Sequence, residues 1–201
     1  MIIDVRSADV VAVYRALIGV VTPRPIAWVT TVDGEGRVNL APFSFFNAFG
    51  ANPPVVVFSP VLRRDRSKKD TLQNLSSVNE FVLNAAVEEL AEKVNATSRE
   101  LPPGQSEAEH AGLTLQPSAM VRPPRVAESP VHLECRVRQI LPIGDGPLAA
   151  NLVIGEVLLI HIADSVLDDR GGVDPRKLRT IARLGADYYC RSTDLFEMER
   201  P

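Results

Sequence analysis

Apolar residues recur at helical spacing through ADVVAVYRALI, residues 8–18, directly after Ser7, whose hydroxyl is placed to cap a first turn. An opening helix is expected there. Beyond Thr22 the texture changes to IAWVTTV, then Asp33-Gly34-Glu35-Gly36, then RVNLAPFSFF, which reads as two strands joined by a tight glycine-bearing turn. Pro53 and Pro54 introduce VVVFS, a β-branched run too short for a buried helix and taken as a third strand.

Helical spacing returns after Asp70 in TLQNLSSVNE. FVLNAAV has strand character, and EELAEKVNATS turns helical again. Residues 99–130 are crowded with proline, glycine, charge and small polar groups, which predicts a long surface excursion, either a functional cover or a disordered segment. VHLECRVRQILPI and LVIGEVLLIHIAD, separated by GDGPLAAN, predict a second hairpin. Gly155 inside its second strand marks a bulge or a close backbone approach. Many strands, short helices and few βαβ units point to a mainly β fold, an antiparallel barrel with peripheral helices formed as one domain over 1–201.

Charge narrows the function classes. With 25 acidic and 22 basic side chains the formal charge is -3, so no global field draws the chain to nucleic acid or to an anionic membrane, and any basic site must be local. No run of about 18 apolar residues is present to span a bilayer, and the amino terminus lacks the basic and apolar blocks of a secretory signal, which predicts a cytoplasmic protein. Cys135, Cys190, His110, His132 and His161 are scattered without metal-ligand spacing, so no metal is expected and both cysteines read as structural.

The familiar catalytic patterns are missing: no G-x-S-x-G elbow, no phosphate-binding P-loop, no H-E-x-x-H, no G-x-G-x-x-G. One local cluster stands out in SPVLRRDRSKKDT, where Arg63, Arg64, Arg66, Lys68 and Lys69 place five cations within seven positions. A phosphate monoester needs such converging charge, and a helix opening at Asp70 or Thr71 adds amide donors. Most such runs are solvated loops. This one follows an apolar strand directly and stands at its end, where such folds place ligands.

NLAPFSFFNAFG, residues 39–50, alternates Asn39, Ser44 and Asn47 with aromatic and small residues. The mixture suits a flat ring with one polar and one apolar edge, although Phe43, Phe45, Phe46 and Phe49 also serve a core or a subunit contact. Trp28, the only tryptophan, is given no role.

The run TPRPIAWVTTVDGEGRVNLAPFSFFNAFGANPPVVVFSP, residues 22–60, resembles the signature of the flavin reductase-like family. Lys69-Asp70-Thr71 with LQNL and Glu80-Phe81-Val82-Leu83-Asn84 resembles that family's next block, and ARLGADYYCRSTDLFEMERP, residues 182–201, its closing pattern. The resemblance implies an FMN-binding split β-barrel of Greek-key type, a homodimer with one FMN, rather than FAD, per protomer at the dimer interface. By the same resemblance Thr30 and Thr31 stand beside the ring, and Asn39, Ala41, Pro42, Phe43, Ser44 and Asn47 contact it. Ser59, Lys69, Asp70 and Thr71, assisted by Arg63 or Arg64, hold the phosphate. Arg183 and Tyr189 approach the flavin from the tail, Tyr189 being equally readable as an interface residue.

With the chemistry carried by a flavin, no catalytic acid or base is needed. The leading expectation is an oxidoreductase that takes a hydride from NADH or NADPH and passes reducing equivalents to free flavin or to a redox partner protein. A flavoredoxin-like electron carrier with no NAD(P)H activity is the alternative. A cofactor-free protein whose charged loop binds another anion is a third.

Overall fold

The computed structural model describes residues 1–102 and 105–199. Pro103 and Gly104 of the excursion, and Arg200 and Pro201 of the tail, lie outside the described residues. The chain opens with α1 (Val10–Val20), β1 (Arg24–Pro25), β2 (Ala27–Val32), β3 (Val38–Phe43), β4 (Phe46–Ala51) and β5 (Pro54–Phe58). It continues with α2 (Asp70–Ser77), β6 (Glu80–Ala85), a 3-10 turn at Glu88–Leu90, α3 (Ala91–Ala96), α4 (Glu107–His110), β7 (Leu115–Gln116) and β8 (Arg125–Val126). The long β9 (Val131–Ile143) and β10 (Ala150–Ile162) follow, then a 3-10 turn at Asp164–Val166, α5 (Pro175–Leu178), β11 (Ile181–Arg183) and β12 (Tyr189–Arg191).

Seven strands form one sheet in the order β3-β2-β6-β9-β10-β5-β4, with antiparallel pairing throughout. Its two outermost strands, β3 and β4, are consecutive in sequence and joined only through Ser44 and Phe45. The sheet must therefore curl until its ends approach at that bend. Since no strand pairing joins β3 to β4, the barrel is split along this seam. The predicted continuous strand RVNLAPFSFF is thus two strands, and the bend is held from the other edge by the Ser59 amide, which donates to the Phe45 carbonyl at 2.9 Å.

Both faces of β2 are buried, which is why IAWVTTV shows little alternation of apolar with charged residues. Inside the barrel, Ala27 and Val29 pack with Phe43, Phe58, Phe81 and Cys135, and α2 closes the cluster with Leu72 and Leu75. Outside, Ile26 and Trp28 pack with Leu40, Val94 of α3, Ala108 of α4 and Val126 of β8. Burying each of the larger side chains contributes roughly 1.5–3 kcal/mol. Trp28 is fully buried and its indole N–H donates to Thr97 Oγ1 at 2.9 Å, a structural role.

Gly155 carries both properties expected from the sequence. The β9–β10 register shifts between Ile154 and Gly155, and the Phe81 ring lies so close that a Cβ there would meet Cζ at 2.4 Å. The opening helix starts two residues later than predicted, because Asp9 rather than Ser7 caps it, accepting from the Val11 and Ala12 amides. A carboxylate is the stronger acceptor for these orphan amides.

Much of the excursion is packed against the outer face of the sheet. The fully buried Glu134 carboxylate accepts from the amides of Ala119 at 2.8 Å and Met120 at 2.6 Å, and His161 contacts it at 2.7 Å. Burial pushes this carboxyl up, but the two amides and His161 outweigh it and hold it below the usual range. Asn84 adds a second tie, accepting from the Val126 amide and donating to the Trp28 carbonyl and Thr30 Oγ1. Among the described residues no helix is long and apolar enough to cross a membrane, and no cluster of three or more His, Cys, Asp or Glu is arranged to hold a metal ion.

Candidate functional site

The start of α2 meets the inner face of β2 and β3. Asn39 Nδ2 donates to Thr71 Oγ1 at 2.8 Å, and Asn74 Nδ2 donates to Thr31 Oγ1 at 3.1 Å, so two amides stitch the helix to two adjacent strands. Thr31 and Asn39 are cross-strand partners and share a face. Thr30, expected beside Thr31, faces the opposite side because strand residues alternate. It is fully buried and its hydroxyl accepts from Asn84 at 2.8 Å, so the structure does not bring it to this group.

Lys69 is the N-cap of α2 and makes no side-chain capping bond, which leaves the first-turn amides of the helix without a side-chain acceptor. Its ammonium lies 5.6 Å from the centroid of the Phe43 ring. Burial, reinforced by Arg63 and opposed by Glu100, holds it below the usual lysine range. Among the described residues it forms no ion pair. A half-buried ammonium beside open helix amides and the Asn39–Thr71 pair is a donor set matched to a compact anion.

Arg63 is engaged elsewhere. It pairs with Glu100 at 2.9 Å and Asp70 at 3.6 Å and donates to the Lys68 carbonyl, bracing the tight turn from Arg63 to Ser67. Arg66 sits in the left-handed region of that turn at φ 68°, and Arg64, Arg66 and Lys68 are exposed. The structure thereby separates Lys69 from the rest of the cation run.

Along β3, Asn39, Ala41 and Phe43 face inward and Pro42 faces outward beside Trp28. Pro42 has no N–H to leave unpaired on an edge strand. The Leu40 amide on the same edge is taken by Glu107 Oε2 at 3.2 Å. Burial, with Asp70 adding repulsion, holds the Glu107 carboxyl above its usual range. Ser44 ends the strip and accepts from Arg24 Nε at 3.4 Å. Asn47 is exposed and its Oδ1 accepts from the Ala48 amide.

Ser59 is buried, and its hydroxyl accepts from the Asn151 amide at 3.1 Å. Its bonds run to β10 and the β3–β4 bend, none to Lys69, Asp70 or Thr71. Arg183 stacks on Tyr189 at 4.5 Å, and the Tyr189 hydroxyl donates to Asn95 Oδ1 at 3.2 Å. Both belong to the small β1-β11-β12 sheet, beside a 590 Å³ cavity lined by Glu88, Glu89 and Glu92. A 350 Å³ apolar cavity lies between this sheet and the barrel, walled by Pro23, Phe46, Leu83 and Ile181.

Asn74, Asn151, Arg24 and Glu107 complete these arrangements without having been singled out in the sequence. Asn74 and Asn84 did carry a signal, each being a polar residue inside an apolar periodic run. Glu107 and Asn151 carried none, because their partners lie 67 and 92 residues away.

The pattern of the flavin reductase like domain family matches residues 20–181. An uncharacterised protein of Halalkalibacterium halodurans is 44% identical over 190 residues, covering 94% of this chain and 90% of its own. Nitrilotriacetate monooxygenase component B from Bacillus cereus superposes with a TM-score of 0.92 at 35% identity, over 98% of each chain. The 2-nitrobenzoate 2-nitroreductase of Pseudomonas fluorescens superposes with a TM-score of 0.87 at 31% identity, over 100% of this chain and 96% of its own.

Proposed function

This chain belongs to the flavin reductase-like family, and from that premise we propose that it binds FMN and takes a hydride from NADH or NADPH, passing reducing equivalents to free flavin or to a partner protein. The observation that carries the reading is Lys69: a half-buried ammonium without a carboxylate partner among the described residues, at the open start of α2. Burying a cation is costly unless an anion joins it, and a phosphate monoester is such an anion.

Lys69, Thr71 and the first amides of α2 hold the phosphate, with Asn39 fixing Thr71. The edge strand β3 from Ala41 to Phe43, together with Ser44, receives the ring. When bound, FMN supplies the hydride- and electron-accepting chemistry. The chain's own task is to bind and orient it, and no side-chain acid or base is assigned. Ser59 stays in the proposed phosphate set, and Arg183 and Tyr189 are proposed to approach the flavin from the tail. A homodimer fits the surface, since α1 buries only Ile18 and leaves Val10, Leu17 and Val20 exposed, and Phe49 projects from β4. Free thiols at Cys135 and Cys190 fit a reducing compartment.

These similarities support the class of reaction more than the acceptor. One structural relative is named as a component of a monooxygenase and another as a nitroreductase. The test begins with the visible spectrum of purified protein and identification of the flavin released on denaturation, followed by anaerobic mixing with NADH and with NADPH. A yellow protein that releases FMN and bleaches within seconds is expected. A colourless protein that does not bind added FMN sinks the reading. FMN that stays oxidised with both donors replaces the reductase by an electron carrier.

A further inference from the structure

Arg24 is only 5% exposed, and among the described residues it pairs with no carboxylate. Its Nη1 donates to the carbonyls of Ile18 at 2.5 Å and Val21 at 2.7 Å, and Nη2 donates to Leu184 at 2.9 Å. Nε donates to Ser44 Oγ at 3.4 Å. Its cross-strand partner on β11 is another arginine, Arg183. Burial lowers the guanidinium from its usual value, Tyr14 opposes this, and Arg183 adds to it.

A buried cation without a counter-charge is expensive. The Ile18 and Val21 carbonyls belong to the last turn of α1, whose negative dipole end offsets part of that cost. This accounts for the Nη1 side of the fork. The Nε side is aimed at the bend between the two edge strands.

We propose that Arg24 is a positioning residue of the flavin site, acting through Ser44 and resting on the reading that Ser44 lies against bound FMN. An arginine N–H can only donate, so Ser44 Oγ is the acceptor in this pair and the hydroxyl proton is left to donate away from Arg24. Ser44 is thereby fixed as a donor and polarised by the charge behind it. A donor of this kind favours an acceptor atom, and favours it more strongly as that atom gains negative charge. It therefore binds the reduced form of the cofactor more tightly than the oxidised form, and Arg24 raises the midpoint potential.

Four variants test this at saturating FMN: Arg24→Met, Arg24→Lys, Ser44→Ala and the double R24K/S44A. Midpoint potential is read by anaerobic dye equilibration, with the thermal midpoint of the apoprotein measured alongside. Arg24→Met and Ser44→Ala should each cost about a tenfold preference for reduced over oxidised flavin, which is about 30 mV for a two-electron couple. Arg24→Lys, which cannot reproduce the fork, should lower the potential in the wild-type background and leave it unchanged in the S44A background. A lowered thermal midpoint with unchanged potential overturns the proposal, and so do additive shifts in the double variant. Should Arg24→Met fail to fold, the lysine pair decides by the same criterion. Wild-type protein that binds no FMN overturns the underlying reading as well, whereas normal FMN binding with unmoved potentials removes this proposal alone.

Discussion

The ammonium of Lys69 stands over the ring of Phe43, 5.6 Å from its centroid, and so joins the start of α2 to the inner face of the edge strand β3. Lys69 is set apart from the other four cations of its run by this contact and by its burial. Lys69→Ala should weaken FMN by the equivalent of a charge-assisted hydrogen bond, about 1.5–3 kcal/mol. Arg66→Ala, at an exposed turn, should change it little. Fluorescence titration of apoprotein with FMN measures both, and equal dissociation constants would show the anchor to be misassigned.

The lowered Lys69 value has a sign that can be followed. In the unfolded chain this lysine regains its ordinary, higher value, so between the two values the unfolded state holds more protons and apoprotein stability rises with pH. A bound phosphate opposes the shift by favouring the ammonium. FMN affinity should therefore fall as pH climbs through the lowered value, before the ordinary lysine range is reached. Lys69→Arg should flatten that fall, because arginine keeps its charge. Dissociation constants measured against pH for both proteins check it.

Glu134, itself fully buried, holds the exposed residues 119–120 through their two amides. Glu134→Ala leaves both donors without an acceptor, each costing about 1–3 kcal/mol. A loss above about 2 kcal/mol in urea unfolding is expected, with earlier proteolytic cutting between residues 114 and 130. Because the folded carboxyl is held below its unfolded value, its contribution is present above the unfolded carboxylate range and fades as pH falls through the folded value. Wild-type cutting kinetics should therefore approach those of the variant in acid.

Gly155→Ala sets a Cβ against Phe81 at 2.4 Å in a core that cannot yield far. Overpacking of this kind costs about 1–3 kcal/mol. Combining it with Phe81→Leu should recover part of the loss, because the obstructing ring is gone. Two denaturation midpoints whose deficits simply add would show that the contact is not the cause.

Parts of this architecture were legible in the chain because the information is local. The second hairpin follows from two apolar runs around GDGPLAAN, and the observed β9 and β10 pair along their length. Gly155 announced a close approach because a glycine in an apolar strand has few other uses. The helix of TLQNLSS opens at Asp70, one of the two starts that its spacing allowed. Other parts were not legible. RVNLAPFSFF reads as one strand because every residue in it tolerates extended backbone, and only the need of the curled sheet to change edges breaks it at Ser44 and Phe45.

The sequence by itself determined the strand-rich class, the family, and the placing of a cation run at a strand end, since periodicity, turn residues and ordered motifs all act between near neighbours. Tertiary structure alone decided which cation of that run is half-buried over the Phe43 ring. Arg63 is occupied by Glu100, 37 residues away, while Lys69 is turned over Phe43 on another element. It alone decided, too, that Arg24 is buried behind Ser44. A side chain's availability depends on what the rest of the fold has already bound to it, and neighbours in space are not neighbours in the chain.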